Sequence, residues 1–189
     1  MSEILSAAIG IVGTILGTVL GWLLNNISNR GKLNIYVSSW LDEFKYNNHG
    51  CIDNSASKEQ TEYYSYKMVL DIYNSSAEPK IMRNIKVIFS NGAKTLKTST
   101  PYDDSTRQGG NNYTPIYYDK IIPLNIMPKS VFTINLHDGE WNDNGSINYI
   151  WETDSIYLQY TDENNKEKTI LIKKGDYKNP FNSEDKNNG

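Results

Sequence analysis

Cysteine is nearly absent from this 189-residue chain, and Cys51 is its one thiol. A single cysteine excludes an intramolecular disulfide framework and a cysteine-based zinc cage. Strong charge is also missing, because 19 basic and 22 acidic side chains leave a formal net charge of −3. With 38% hydrophobic and 12% aromatic residues, the chain falls outside the collagen-like, low-complexity and nucleic-acid-coating classes. We therefore expect no nucleic-acid polymer as a partner.

Ionisable side chains are missing altogether from residues 4–24, which read ILSAAIGIVGTILGTVLGWLL. A helix of this length spans about 31 Å, close to the ~30 Å hydrocarbon core of a bilayer. A cleaved signal peptide would need a basic segment before the apolar run, and nothing basic precedes Ile4. A buried core helix would be shorter, with polar positions at helical spacing. The pattern predicts a transmembrane helix at 4–24, followed by a polar joint at 25–32.

Lysine and arginine are also missing before this segment, whereas Arg30, Lys32 and Lys45 follow it. Basic flanking residues mark the cytoplasmic side of a span. The sequence therefore predicts a single-pass protein of the inner (cytoplasmic) membrane with its C-terminal domain in the cytoplasm. The lack of paired cysteines fits a reducing compartment and would also fit many bacterial exteriors.

Small residues recur within the apolar segment at Gly10, Gly13, Gly17 and Gly21. Gly13, Gly17 and Gly21 recur every four residues and Gly10 joins from the preceding turn, a pattern that lets two helix backbones approach closely in a membrane. This row predicts a homo-oligomer formed through the transmembrane helix. The alternative is that glycine is simply common in membrane helices.

Beyond the joint, apolar residues recur with period two, the spacing of half-buried strands. The clearest runs begin at Leu33, Tyr64, Ile85, Phe132, Ile156 and Thr169. Short strands separated by Asn, Gly and Pro turns predict an all-β domain at 33–178, an antiparallel β-sandwich or small β-barrel. Three polar insertions, at 46–61, 99–120 and 137–150, are candidate functional loops. Residues 179–189 are expected to form a disordered tail.

The order of segments along the chain is similar to that of known bacterial protein families. One N-terminal span precedes KLNIYVSSW, LDIYNSS, IMRNIKVIFSNG, IPLNIMPKSVFTINL and the hairpin sequence DSIYLQYTDENN. This arrangement resembles immunoglobulin-like, membrane-anchored bacterial proteins found around mobile elements. It is also similar to the membrane-anchored β-barrel effectors of cyclic-oligonucleotide antiphage systems. The resemblance implies a cytosolic sensor whose ligand, a cyclic oligonucleotide, drives assembly in the membrane, and it carries over no ligand-binding residue.

Residues 79–102 contain five cations and no carboxylate. The cations are Lys80, Arg83, Lys86, Lys94 and Lys97. They could bind anionic lipid headgroups, or a small phosphate-bearing ligand that Arg83 would hold through paired hydrogen bonds. The alternative is that they are outward-facing strand residues that prevent edge-to-edge pairing. Nearby tyrosines could stack on bases, but tyrosine is also common in strands.

The sequence gives little support for a metal site or for an enzymatic activity. Residues 130–165 hold seven carboxylates and no lysine or arginine, but the calcium-loop pattern beginning at Glu140 lacks the initial Asp and has Trp151 at its last ligand position. Cys51 has only His49 and His137 as partners, too few ligands for zinc. No catalytic motif is present. We expect no metal, no cofactor and no enzymatic activity.

These observations favour a non-enzymatic membrane protein whose cytosolic β domain binds a partner or a small anionic ligand. Ligand-linked assembly of the glycine-rich helix could then perturb the membrane, as an antiphage effector would. Two alternatives are an envelope-exposed adhesion or assembly protein and a simple membrane-anchored adaptor.

Overall fold

A computed structural model describes residues 2–29, 31–92, 94–110, 115–175 and 177. Helix α1 (Ser2–Asn29) contains 28 residues. It continues through five positions assigned to the joint, because residues 25–29 include neither proline nor glycine. Its segment Ile9–Asn29, with a mean hydropathy of 1.5, is long and apolar enough to cross a bilayer, and none of it is buried. This length and composition fit a membrane span or a signal sequence.

The rest of the described chain is built from strands. They are β1 (Leu33–Asn48), β2 (Cys51–Asn54), β3 (Tyr63–Asn74), β4 (Lys80–Asn91), β5 (Lys94–Ser99), β6 (Tyr102–Asp103), β7 (Leu124–Ile126), β8 (Val131–Trp141), β9 (Ser155–Thr161) and β10 (Glu167–Lys174). A 3-10 turn at Asp104–Thr106 and a one-turn helix α2 (Tyr149–Glu152) complete the described elements. The predicted tail at 179–189 lies outside the described residues.

The strands form two antiparallel sheets. The first has the order β2-β1-β3-β8-β6, and the second has the order β10-β9-β4-β5, with β7 paired to the start of β4. Two separate sheets confirm the predicted all-β fold and make it a sandwich.

The core lies between the sheets and is formed by the alternate, inward side chains of each strand. From β3 it takes Tyr64, Tyr66, Met68, Leu70 and Ile72, and from the facing sheet Val87, Phe89, Ile156 and Leu158. Ile147, Ile150 and Trp151 close one end. This alternation is the one read from the sequence, so the apolar rows at 64–72, 85–89 and 156–160 are confirmed as strands.

The polar insertions are more structured than expected. Residues 46–61 continue β1 into a hairpin with β2, and residues 137–141 complete β8. β1 is longer than the predicted run at 33–38, because a bulge between Val37 and Ser39 reverses the alternation and the inward row resumes at Trp40. The chain between Ser99 and Leu124 holds β6, the 3-10 turn and isolated bridges.

Candidate functional site

The C-terminal end of α1 is bonded directly to the turn between β3 and β4. The amide of Ala77 donates to the carbonyl oxygen of Ser28 over 3.3 Å, although this carbonyl belongs to the helix end. The side-chain amide of Asn29 donates to Oε1 of Glu78 over 2.8 Å. Helix ends leave carbonyls without partners, and here the sandwich supplies a donor. The helix and the sandwich are therefore in contact at the joint.

Hydrogen bonds between Lys32 and Ser75 add to this joint. The amide and the hydroxyl of Ser75 both donate to the carbonyl of Lys32, over 3.1 and 2.9 Å. The amide of Lys32 in turn lies 2.9 Å from the Ser75 hydroxyl oxygen. Gly31 lies against this turn so closely that a Cβ atom would come within 2.3 Å of the Ser76 amide nitrogen. Only glycine fits at position 31 without displacing the turn.

Asn74, which is fully buried, organises the same turn. Its side-chain amide donates to the carbonyls of Glu78 and Ile126 over 2.8 and 2.9 Å. Its Oδ1 accepts from the amide and the hydroxyl of Ser76 over 2.9 and 2.7 Å. All the hydrogen-bonding capacity of this amide is used within the fold. The turn is therefore a stiff platform for the helix end.

The four glycines of the predicted association row lie on α1. Gly10, Gly13, Gly17 and Gly21 are exposed, and nothing in the described chain comes within 4 Å of a Cβ placed on any of them. The hydroxyl of Thr14 beside them donates to the Gly10 carbonyl over 2.8 Å. The row is free for a contact with lipid or with another helix, and self-association through it stays a prediction.

The five predicted cations lie on β4 and β5, but the fold does not gather them into one site. Lys80 is paired with Glu163. Arg83 donates through Nη2 to the Asp162 carbonyl and to Oδ1 of Asn165, over 3.0 and 2.7 Å. These partners come from the β9–β10 turn, so both cations hold that turn to β4.

Lys97 is also engaged, since its Nζ lies 2.9 Å from Oε2 of Glu140. It closes a cavity of about 180 Å³ whose lining includes Tyr64, Tyr66 and Tyr149. Burial raises the pKa of Tyr66 and Tyr149. Their hydroxyls therefore stay protonated, and the charged groups of the cavity are the Lys97–Glu140 ion pair and Asp138.

Lys86 and Lys94 form no ion pair with any described residue. Lys94 is exposed, whereas Lys86 lines a cleft of about 280 Å³ beside the β4–β9 bulge. The polar lining residues are Asn84, Thr100, Gln159, Thr161 and Glu167. One ammonium group among amides and hydroxyls can accommodate a small anion, although Glu167 opposes that charge. This cleft is the best candidate for the predicted anionic site.

His137 forms a cluster that the sequence did not reveal. Its Nδ1 lies 2.8 Å from Oδ1 of Asp104, without the alignment of a good hydrogen bond. The rings of Tyr118 and Tyr102 pack on it with centroids 4.2 and 5.7 Å away. Lys120 lies over Tyr102, with Nζ 3.7 Å from the ring centroid. Burial lowers the pKa of His137, and Asp104 opposes that shift. Two tyrosines considered for base stacking therefore pack on histidine.

The acidic stretch is dispersed. Glu140 and Glu163 are paired with lysines, and Oδ2 of Asp154 accepts the Gly92 amide over 2.9 Å. Within the part of the chain that the structure describes, no three His, Cys, Asp or Glu residues lie close enough to hold a metal ion.

Comparison with solved structures gives distant matches. A protein from Bordetella pertussis given the name ApaA matches with a TM-score of 0.35 and 11% identity, covering 77% of this chain and 91% of that chain. A β-sandwich protein from Clostridium difficile 630 matches with a TM-score of 0.33, 11% identity and the same coverage. Scores this low carry no functional information.

Sequence comparison is more informative. The chain is 26% identical over 174 residues to the SPbeta prophage-derived uncharacterized protein YopI of Bacillus subtilis strain 168, covering 91% of this chain and 97% of that protein. The model of the YopI Ig-like domain matches residues 31–173, which begin at Gly31 of the joint and end within β10. The chain belongs to the YopI Ig-like domain family.

Proposed function

We propose that the protein is a non-enzymatic, single-span membrane protein that couples binding at its cytoplasmic Ig-like domain to self-association of its helix. The observation that carries the proposal is the joint, where Ser28, Asn29 and Lys32 are bonded to the β3–β4 turn. Because these bonds tie the helix end to the turn, the orientation of each sandwich follows the orientation of its helix. A ligand that binds paired sandwiches more tightly than single ones would favour helix pairing by the same free energy.

The helix supports membrane insertion. Its described apolar side chains are exposed, and none of the segment Ile9–Asn29 is buried by the sandwich. An apolar surface of this size needs a cover, and a bilayer supplies one. Lys32 and Lys45 follow the span and no lysine or arginine precedes it, which supports a cytoplasmic sandwich.

A small phosphate-bearing ligand, such as a cyclic oligonucleotide, is the class that the Lys86 cleft would accept. Lys86, which forms no ion pair with a described residue, provides a positive charge there beside Glu167, and Asn84 and Gln159 provide amide donors. The relative in Bacillus subtilis is described as prophage-derived, which supports a role in conflict between mobile elements and their hosts. In that form of the proposal, ligand-driven assembly of the helix disrupts the membrane as an antiphage effector.

Labelling of Cys51 tests the topology. This thiol is exposed on the β1–β2 hairpin, so a membrane-impermeant maleimide can reach it once its compartment is open. We expect labelling after lysis and none in intact cells. Labelling in intact cells would instead support an envelope-exposed adhesion or assembly protein. A chain extracted from membranes by alkaline buffer would contradict the span itself.

A further inference from the structure

We propose that the end of the sandwich next to α1 rests on the headgroup layer of the same bilayer, with Met127 inserted among the lipids and with Lys32 and Lys129 at their phosphates. The inference rests on the proposed membrane span. It concerns three turns: residues 75–79 between β3 and β4, residues 127–130 between β7 and β8, and residues 162–166 between β9 and β10. We call them together the helix-side pole.

The depth of the helix end sets the height of this pole. If residues 4–24 fill the hydrocarbon core, the five helical residues 25–29 extend about 7.5 Å further. The headgroup layer is about 5–8 Å thick on each side. Asn29 therefore lies near the outer boundary of the headgroups, and its bond to Glu78 holds the β3–β4 turn at the same level.

The β7–β8 turn lies at this level too. The amide of Asn74 donates to the carbonyl of Ser130 over 3.0 Å, and Nζ of Lys129 donates to the carbonyl of Ser75 over 2.5 Å. Ser75 is the residue that holds Lys32 at the joint. Ser75 thus links the β7–β8 turn to Lys32, which follows the helix.

Apolar side chains of the pole point away from the core. Met127 is 59% exposed although it follows the buried Ile126, and Val131, directly after the turn, is 62% exposed. Met127 is unbranched and flexible, which suits insertion between irregularly packed lipids. Exposed apolar residues beside a membrane helix are readily covered by the bilayer interface.

The charges favour anionic lipid. Of the carboxylates of the pole, Glu78 accepts the Asn29 amide, Glu163 is paired with Lys80, and Oδ1 of Asp162 accepts the amides of Asn164 and Lys166. Lys32 and Lys129 are exposed, and neither forms an ion pair within the described residues. Cations near an anionic surface are attracted within about a Debye length, ~8 Å at physiological salt.

Site-directed fluorescence on the full-length chain tests the inference. A Met127→Cys, Cys51→Ser variant carries an environment-sensitive dye at the pole, and the matched control carries the same dye on native Cys51 with Met127 retained. Both are reconstituted in phosphatidylcholine–phosphatidylglycerol vesicles containing a headgroup nitroxide. We expect strong quenching and a blue shift at position 127, and little of either at Cys51. Equal quenching at the two positions overturns the inference.

Charge and insertion are tested separately. Replacing Lys32 and Lys129 with glutamine in the dye-labelled variant is expected to reduce quenching in anionic vesicles and to leave it unchanged in phosphatidylcholine alone. Unchanged quenching in both overturns the role of the two lysines. A chain that stays in the vesicles during an alkaline wash but shows no quenching at position 127 overturns the docking alone, whereas loss of the chain in the wash overturns the proposed span.

Discussion

Asp42 of the first strand and Lys173 of the last strand form an ion pair that joins the two sheets across 131 positions of sequence. The Asp42 carboxylate is only 12% exposed. It also accepts the Trp40 indole N–H over 2.8 Å, the Tyr64 hydroxyl over 2.9 Å and the Tyr177 hydroxyl over 3.0 Å. Burial raises the pKa of both tyrosines, so their hydroxyls remain donors. One carboxylate thus links β1, β3, β10 and the segment after β10.

Asp42→Asn is expected to destabilise the sandwich by about 2 kcal/mol, because the substitution removes the charge and part of the acceptor capacity that four donors share. Urea unfolding of the detergent-solubilised chain, followed by tryptophan fluorescence, measures the change. The control is Asp53→Asn on the exposed β1–β2 hairpin, which should shift the free energy of unfolding by less than about 0.5 kcal/mol. Equal losses would contradict the central role of Asp42.

Gly17→Leu should abolish oligomers in mild detergent, because the larger side chain keeps two helix backbones apart along the glycine row. Cross-linking and analytical ultracentrifugation give the stoichiometry. Val19→Leu is the control, since position 19 is 200° away around the helix at about 100° per residue. Oligomers that survive Gly17→Leu would show that the contact lies on another face.

Gly31→Ala tests the joint. The added Cβ would lie 2.3 Å from the Ser76 amide nitrogen, so the β3–β4 turn must move. We expect faster hydrogen exchange at the amides of Ser75 and Ala77, which bond to Lys32 and Ser28. Gly21→Ala, where nothing in the described chain is near, should leave those amides protected. Unchanged exchange in Gly31→Ala would mean that the helix and the sandwich are not coupled there.

Substitution of Arg83 should lower the stability of the fold, whereas substitution of Lys86 should weaken ligand binding. Arg83→Gln loses hydrogen bonds to the Asp162 carbonyl and the Asn165 side chain, and about 1–2 kcal/mol of stability with them. Lys86→Gln should leave thermal unfolding unchanged and weaken binding of a cyclic dinucleotide, measured by calorimetry. Tight binding that survives Lys86→Gln would remove the cleft as the anionic site.

The partly buried His137 predicts that the stability of the fold depends on pH. Burial lowers its pKa in the folded state, so the unfolded chain binds more protons near neutral pH. Stability should therefore fall as the pH drops through the ordinary histidine pKa of about 6.5 toward the lower pKa of the folded state. Thermal unfolding over that range should show the slope, and His137→Gln should flatten it, whereas His49→Gln on the β1–β2 turn should not. A slope that persists in His137→Gln would assign it to other groups.

Much of the sandwich could be predicted because the period-two pattern at Tyr64–Ile72 records burial directly. The second half of β1 could not, since the bulge after Val37 moves the inward row from odd to even positions and breaks the period. The prediction of a sandwich is confirmed. The choice between sandwich and barrel depended on strand partners that are distant in sequence.

Less of the candidate site could be predicted from the sequence. No carboxylate lies among the cations of β4 and β5 in the sequence, and the partners of Lys80, Arg83 and Lys97 lie 43 to 83 residues away. Sequence spacing cannot reveal such pairs. Asn74, Ser75 and Ser76 have the composition of an ordinary turn, and only the tertiary structure shows that the turn supports the helix end.

Under the proposed membrane span, the two ends of β1 lie in two different environments. Its 16 residues extend for at most about 50 Å from the helix to the hairpin that carries Cys51. The electrostatic influence of the lipids decays over roughly 8 Å at physiological salt. If the helix spans a membrane as proposed, molecules arriving at the distal hairpin encounter bulk solvent and ordinary diffusion, while the opposite end of the same strand lies at the bilayer surface.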